Sequence, residues 1–207
     1  MIAIIDYDAG NIRSVEKALQ FLGAETCVTR DEKEILAADH VILPGVGAFG
    51  DAMHKLRNYG LEGVIHQVVA QKTPFLGICL GLQLLFEDSE EAEGVKGLGI
   101  LPGRIVRIPE APGLKIPHIG WNSLQFPSAG RLFERIAEES YVYFVHSYYL
   151  QAEEPEIVKA TTEYDVTIHA SVEKGNVFAC QFHPEKSSDV GMQILKNFIA
   201  IKGGEEE

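Results

Sequence analysis

The apolar run Pro74-Phe75-Leu76 enters Gly77-Ile78-Cys79-Leu80-Gly81, and Leu82, Leu84, Leu85 and Phe86 follow at once. Few short segments restrict a fold as much. An apolar strand must turn at one residue into an amphipathic helix, and the residue at the corner must push its side chain outward. Glycines two positions to either side carry no Cβ and relieve the crowding this creates. The pattern is the thiol counterpart of the Gly-x-Ser-x-Gly nucleophile elbow. The N-terminus of the following helix would direct partial positive charge and free N–H groups at the sulfur, favouring the nucleophilic thiolate. Read alone, the pentapeptide is equally compatible with a buried structural cysteine between two packing glycines.

The surrounding pattern agrees with a strand-to-helix corner. Met1–Tyr7 reads as a buried strand. A helical stripe of Ile12, Val15, Ala18, Leu19 and Leu22 follows, stopped by Gly23. Strands are predicted over 25–29, 40–43 and 73–78, separated by helices over 31–38 and 51–71. The second half changes character. Segments 103–109, 116–126, 141–150, 157–162, 166–173 and 177–182 are rich in β-branched and aromatic residues and broken by Pro and Gly. A helix over 191–201 closes the chain. The expected class is α/β: an open, mainly parallel sheet with helices on both faces, plus an antiparallel extension in the C-terminal half. Residues 1–202 are expected to form a single domain, with 203–207 a frayed acidic tail.

The chain has 207 residues with 46% hydrophobic content, enough for a sizeable core, and a net charge of −12. That charge argues against a broad nucleic-acid footprint. The loop Glu87–Glu93 reads as a solvated acidic loop. No run is long enough to span a bilayer. The N-terminus reads as a first strand, not a signal peptide. Cys27, Cys79 and Cys180 form neither a disulfide framework nor a metal-ligand pattern. A reducing cytoplasm is the expected home, with no metal and no cofactor.

A thiolate nucleophile needs a proton carrier and a group to orient it. Gln181-Phe182-His183-Pro184-Glu185 follows the apolar strand Val177–Cys180. His183 can move a proton near neutral pH, and Glu185 is near enough in sequence to fix its tautomer. Pro44-Gly45-Val46-Gly47 follows another buried strand and should reach the same sheet edge. Its backbone N–H groups, with that of Leu80, are candidates for an oxyanion hole. A Gly-rich loop of this kind could equally cradle a phosphate.

Taken together, Gly77–Gln83, Gln181–Glu185 and Pro44–Gly47 resemble the triad (class I) glutamine amidotransferases, in the family's order and over nearly the whole chain. Cys180 departs from the small or β-branched residue expected before the Gln-Phe-His-Pro-Glu run, without touching a catalytic position. The resemblance implies glutamine amide hydrolysis by Cys79, His183 and Glu185, with Val46, Gly47 and Leu80 as oxyanion donors. It also implies glutamine binding by Gly47, Gln83, Ser147 and Tyr148.

The segments Ile5–Asn11, Pro117–Asn122 and Tyr143–Tyr149 resemble the branch of the family that serves histidine biosynthesis. That branch implies a heterodimer with a separate (β/α)8-barrel cyclase subunit, which receives the ammonia. His118, Gly120, Trp121 and Asn122 would then face the partner. Glutaminases serving aminodeoxychorismate, anthranilate or pyridoxal phosphate synthesis are alternatives, as are a stand-alone cysteine hydrolase and a scaffold that has lost catalysis.

Overall fold

The computed structural model describes residues 1–8 and 10–204. Ala9 and the Glu205–Glu207 part of the expected tail lie outside the described residues. In chain order the elements are β1 (Ile2–Ile5), α1 (Ile12–Phe21), β2 (Thr26–Thr29), α2 (Glu32–Leu36), β3 (His40–Leu43), α3 (Phe49–Asn58), α4 (Leu61–Ala70), β4 (Phe75–Ile78) and α5 (Leu80–Leu84). They continue with β5 (Asp88–Ser89), β6 (Gly103–Arg107), β7 (His118–Ser123), β8 (Tyr141–His146), β9 (Tyr148–Ala152), β10 (Val158–Glu163), β11 (Thr167–Lys174), β12 (Val177–Cys180) and α6 (Ser188–Ala200).

A seven-stranded sheet in the order β10-β11-β12-β4-β3-β1-β2 forms the centre. The β1–β2, β1–β3, β3–β4 and β4–β12 pairs are parallel, and β10–β11–β12 is antiparallel. The expected class therefore holds. Alternation along β1 shows why both faces are covered: Ala3 and Ile5 enter one apolar core, Ile2 and Ile4 the other. The first core receives Ile35 of α2, Met53 and Leu56 of α3, and Ile65 of α4. The second receives Val15 and Leu19 of α1 with Ile194, Leu195 and Phe198 of α6. Two small sheets, β5-β6-β9 and β7-β8, stand beside the main one.

Two expected elements are each divided. The helix expected over 51–71 is two helices, because Gly60 adopts φ 69° and a left-handed residue ends α3. The strand expected over 141–150 bends at Ser147. Before the bend β8 pairs with β7; after it β9 pairs with β6. The chain thus crosses between the two small sheets at Val145–Tyr148.

Candidate active site

β4 and β12 are parallel neighbours, with Ile78 opposite Cys180. The residues just past their C-terminal ends, Cys79 and Gln181–His183, are therefore brought to one place. The Cys79 N–H donates to the Cys180 carbonyl at 2.8 Å, and the backbone then reverses into α5. Cys79 sits at φ 55°, ψ −107°, a conformation that non-glycine residues rarely occupy. The flanking glycines make it possible. A Cβ on Gly81 would collide with the Leu43 carbonyl oxygen of β3, and one on Gly77 would lie 2.6 Å from the Gly81 carbonyl oxygen.

The helix beyond the elbow differs from expectation. It is five residues long and buried on every side, so it is a core plug, not an amphipathic helix. One turn of helix brings only a small dipole to the sulfur. Two nearby polar groups act on Cys79 instead. Gln181 Nε2 donates toward Sγ at 3.7 Å, and the Val145 carbonyl oxygen lies 3.9 Å from Sγ.

His183 and Glu185 lie in the turn after β12, their side chains closed off from solvent. His183 Nδ1 is 2.8 Å from Glu185 Oε1. The His183 backbone is pinned on both sides: its N–H donates to the Tyr143 carbonyl (2.9 Å), and its carbonyl accepts from Ser187 Oγ (2.6 Å). Nε2 is buried and has no hydrogen bond of ordinary geometry. Cys79 nonetheless lies close enough to act on the ring. Burial alone would lower the His183 pKa. Its interactions with Cys79 and then Glu185 outweigh this and raise it to about 9. The ring therefore holds its second proton at neutral pH, and an imidazolium faces the sulfur.

Cys79 opens onto a cavity of about 340 Å³, lined by Val46, Gly47, Leu80, Gln83, Glu91, His146, Ser147 and Tyr148 among others. Every residue expected to bind substrate or line an oxyanion hole is on its wall. Gln83 is no surface residue. It is buried, and its Nε2 donates to the Tyr148 carbonyl (3.0 Å) and to Gln181 Oε1 (3.1 Å). Gly47 needs its φ of 108° for the turn beside the cavity. The Leu80 N–H is directed at the Gly45 carbonyl at 3.4 Å. That expected donor is engaged by the protein in this conformation.

Three residues escaped the sequence reading. Asn11, at φ 72° before α1, donates its side-chain amide to Glu185 Oε1. Only its place in the Ile5–Asn11 segment pointed toward it. Glu91 belongs to the loop expected to be solvated. It lines the cavity, and its Oε2 accepts from the Phe49 N–H at the start of α3 (2.8 Å). His146 is buried in the cavity wall. Cys180 is structural: fully buried, its thiol reaches the Phe182 carbonyl at 3.5 Å, and burial first of all pushes its pKa well up.

The expected partner-facing group is divided by strand alternation. His118 is buried, in contrast to the expectation, because β7 turns it with Gly120 and Asn122 toward β8's Val142, Phe144 and His146. The exposed side chains on the opposite face of β7 are Ile119 and Trp121, joined by Tyr141 of β8. Trp121 meets the Tyr143 ring edge-on at 6.1 Å, and Lys186 Nζ lies 6.0 Å above that ring, one residue from Glu185. Among the described residues, no group of three His, Cys, Asp or Glu side chains could hold a metal, and no helix is long and apolar enough to cross a membrane.

The sequence matches the profile of the family described as glutamine amidotransferase class-I over residues 3–201. The chain belongs to this family. A relative from Moorella thermoacetica, named imidazole glycerol phosphate synthase subunit HisH, is 54% identical over 95% of this amidotransferase chain and 93% of its own length. One of the same name from Thermosynechococcus vestitus is 52% identical over 97% and 96%. Among solved structures, one titled as a glutamine amidotransferase superposes with a TM-score of 0.75 at 21% identity, covering 97% of this chain and all of that one. A structure of PurLQS from Thermotoga maritima gives 0.74 at 21% identity, covering 96% of each chain. At this identity the two show a shared fold.

Proposed function

We propose that this amidotransferase is the glutaminase subunit of imidazole glycerol phosphate synthase, and that it hydrolyses glutamine to glutamate and ammonia for a separate cyclase subunit in histidine biosynthesis. The observation that carries the chemistry is Cys79 on its positive-φ elbow, open to a cavity and beside a buried His183–Glu185 pair. The names of relatives that match nearly end to end support the choice of synthase.

The Cys79 thiolate attacks the glutamine carboxamide carbon. The carbonyl oxygen gains negative charge, and N–H groups of the Val46–Gly47 turn and Leu80 donate to it once the Gly45 carbonyl turns away from Leu80. The His183 imidazolium gives its proton to the nitrogen as the C–N bond breaks, releasing ammonia and a γ-glutamyl thioester. Neutral His183 then takes a proton from water, whose oxygen attacks the thioester. Glutamate leaves, and the thiolate–imidazolium pair is restored. Glu185 holds His183 Nδ1–H throughout. Gly47, Gln83, Ser147 and Tyr148 bind the substrate, and the Glu91 carboxylate complements its α-ammonium group.

Ammonia in water is protonated and loses its nucleophilicity, so it must pass to its acceptor by a dry path. We assign the partner as a (β/α)8-barrel cyclase subunit and residues 1–202 as one glutaminase domain. The docking face is the outer side of β7 and β8, with Ile119, Trp121, Tyr141 and Tyr143 beside Lys186. Glutamate release by the purified chain, alone and with a cyclase subunit and its ribonucleotide ligand, tests the reading. Turnover that rises on mixing is the expected result. Release with only a chorismate-using partner would assign a different synthase. Ester or peptide cleavage by the lone chain would make it a free-standing hydrolase.

A further inference from the structure

Two buried histidines that the mechanism does not use meet behind the cavity wall. β7 and β8 place His118 opposite His146, and His118 Nδ1 lies 3.0 Å from His146 Nε2. The other nitrogen of His146, Nδ1, is 2.9 Å from the Tyr148 carbonyl oxygen. A carbonyl only accepts, so the proton must sit on His146 Nδ1. Nε2 of the neutral ring is then an acceptor, and the proton it receives must come from His118 Nδ1. His118 Nε2 is left as an acceptor, and Asn122 Nδ2 stands 3.5 Å from it while also donating to the Glu163 carbonyl at 2.9 Å.

One tautomer of each ring satisfies all of these contacts. Burial, the leading cause at both, pushes the pKa of His146 down to about 3 and that of His118 to about 4, so the pair is neutral at physiological pH. The His118 ring stacks on Tyr164 (centroids 3.8 Å apart) and on Phe144 (4.9 Å). It has little room to turn.

The pair ends on an atom that matters to the cavity. The Tyr148 carbonyl accepts from both His146 and Gln83, and Gln83 in turn donates to Gln181 Oε1. Gln83, His146 and Tyr148 all line the cavity. Stacking between Tyr164 and Phe144 would suit a phenylalanine at position 118. What demands a histidine is the need for an N–H donor to the buried His146 Nε2, since an unpaired buried nitrogen is costly.

We propose that His118 and His146 form a positioning pair that holds the Tyr148 carbonyl and the Gln83 amide in the one arrangement that binds glutamine. The proposal rests on reading the cavity as the glutamine site. His118 never touches substrate; it acts through His146. Its loss lets the His146 ring turn, frees the Tyr148 carbonyl and unsettles Gln83, while leaving Cys79 and His183 alone.

The test uses the complex with the cyclase subunit and its ribonucleotide ligand. His118→Phe keeps the stacking and removes the donor. Its KM for glutamine is expected to rise ~10-fold, the loss of about one hydrogen bond. Its kcat should stay within about threefold, the signature of lost ground-state binding. Alkylation of Cys79 by iodoacetamide, which needs no glutamine site, should keep its wild-type rate. His118→Asn can place an amide N–H near the Nδ1 position, and it should restore KM. Unchanged KM in His118→Phe overturns the proposal. So does a His118→Asn variant as impaired as His118→Phe, which would assign the effect to packing, and so does a parallel loss of Cys79 alkylation. If thermal melting shows that His118→Phe does not fold, His146→Asn and His146→Leu decide: a raised KM in the leucine variant alone supports the pair, and equal values overturn it. Lack of glutamine turnover by the wild-type complex overturns the functional reading and the proposal with it, whereas turnover with normal KM in His118→Phe overturns the pair alone.

Discussion

The Asn11 side-chain amide and His183 Nδ1 converge on one oxygen of Glu185, Oε1, although Asn11 immediately precedes the first helix and Glu185 lies in the turn before the last one. Glu185 is thus held from two directions, and its Oε1 accepts from both Asn11 and His183 Nδ1. Asn11→Gly tolerates the backbone φ of 72° and deletes only the amide. We expect kcat for partner-stimulated glutamine hydrolysis to fall ~10-fold with KM nearly unchanged, on the scale of one hydrogen bond to a charged group. Steady-state kinetics on the complex check this; a wild-type kcat would remove Asn11 from the mechanism.

Gly81 faces the β3 backbone. Its missing Cβ is what lets the start of α5 touch the Leu43 carbonyl. Because the obstacle is backbone, no rotamer change relieves it. Gly81→Ala should destabilise the fold by roughly 2–4 kcal/mol, in the range of strained or overpacked core substitutions. Gly63→Ala in α4, where a Cβ meets open space, is the control and should be neutral or slightly stabilising. Urea unfolding of both variants measures the difference, and equal midpoints would contradict the elbow argument.

The raised His183 pKa has a consequence for stability. Burial opposes the charged ring, but Cys79 and Glu185 prevail and lift it to about 9. The folded protein therefore binds this proton more tightly than the unfolded chain does. The stabilisation is complete below about pH 6.5, the unperturbed value, and is lost as pH rises through about 9. Between those limits wild-type unfolding free energy should drop by on the order of 1–3 kcal/mol. His183→Gln should flatten that part of the curve. A wild-type profile already flat from pH 6.5 to 9.5 would contradict the assignment.

Trp121 is half exposed on the outer face of β7 and meets Tyr143 edge-on, and Lys186 Nζ stands over the Tyr143 ring. Trp121→Ala should weaken binding to the cyclase subunit by ~10-fold or more, as for a central aromatic anchor, while shifting the chain's own melting temperature little. Calorimetric titration gives the first quantity and thermal denaturation the second. Unchanged affinity would place the docking face elsewhere.

The distribution of legible and hidden features follows from range. Cys79, His183 and Glu185 stood out as candidates because each sits in a short motif whose local geometry is demanding: glycines at two fixed offsets, or a proline between two polar groups. The βα alternation likewise showed itself in local periodicity. The inward turn of His118 could not be read, since His-Ile-Gly-Trp alternates correctly in either phase and both rings are amphipathic. Glu91 was hidden because five acidic residues in a seven-residue loop look alike until the loop is seen folding over the mouth of α3.

The sequence by itself determined the α/β class and the elbow, and it singled out the candidate reacting groups, because strand-to-helix turns, capping glycines and apolar stripes are dictated by neighbours along the chain. The tertiary structure alone decided that β12 lies beside β4, that Asn11 reaches Glu185 and that His118 meets His146 at the cavity. Those contacts join residues far apart in sequence, and they depend on strand order and side-chain packing, which no local pattern encodes.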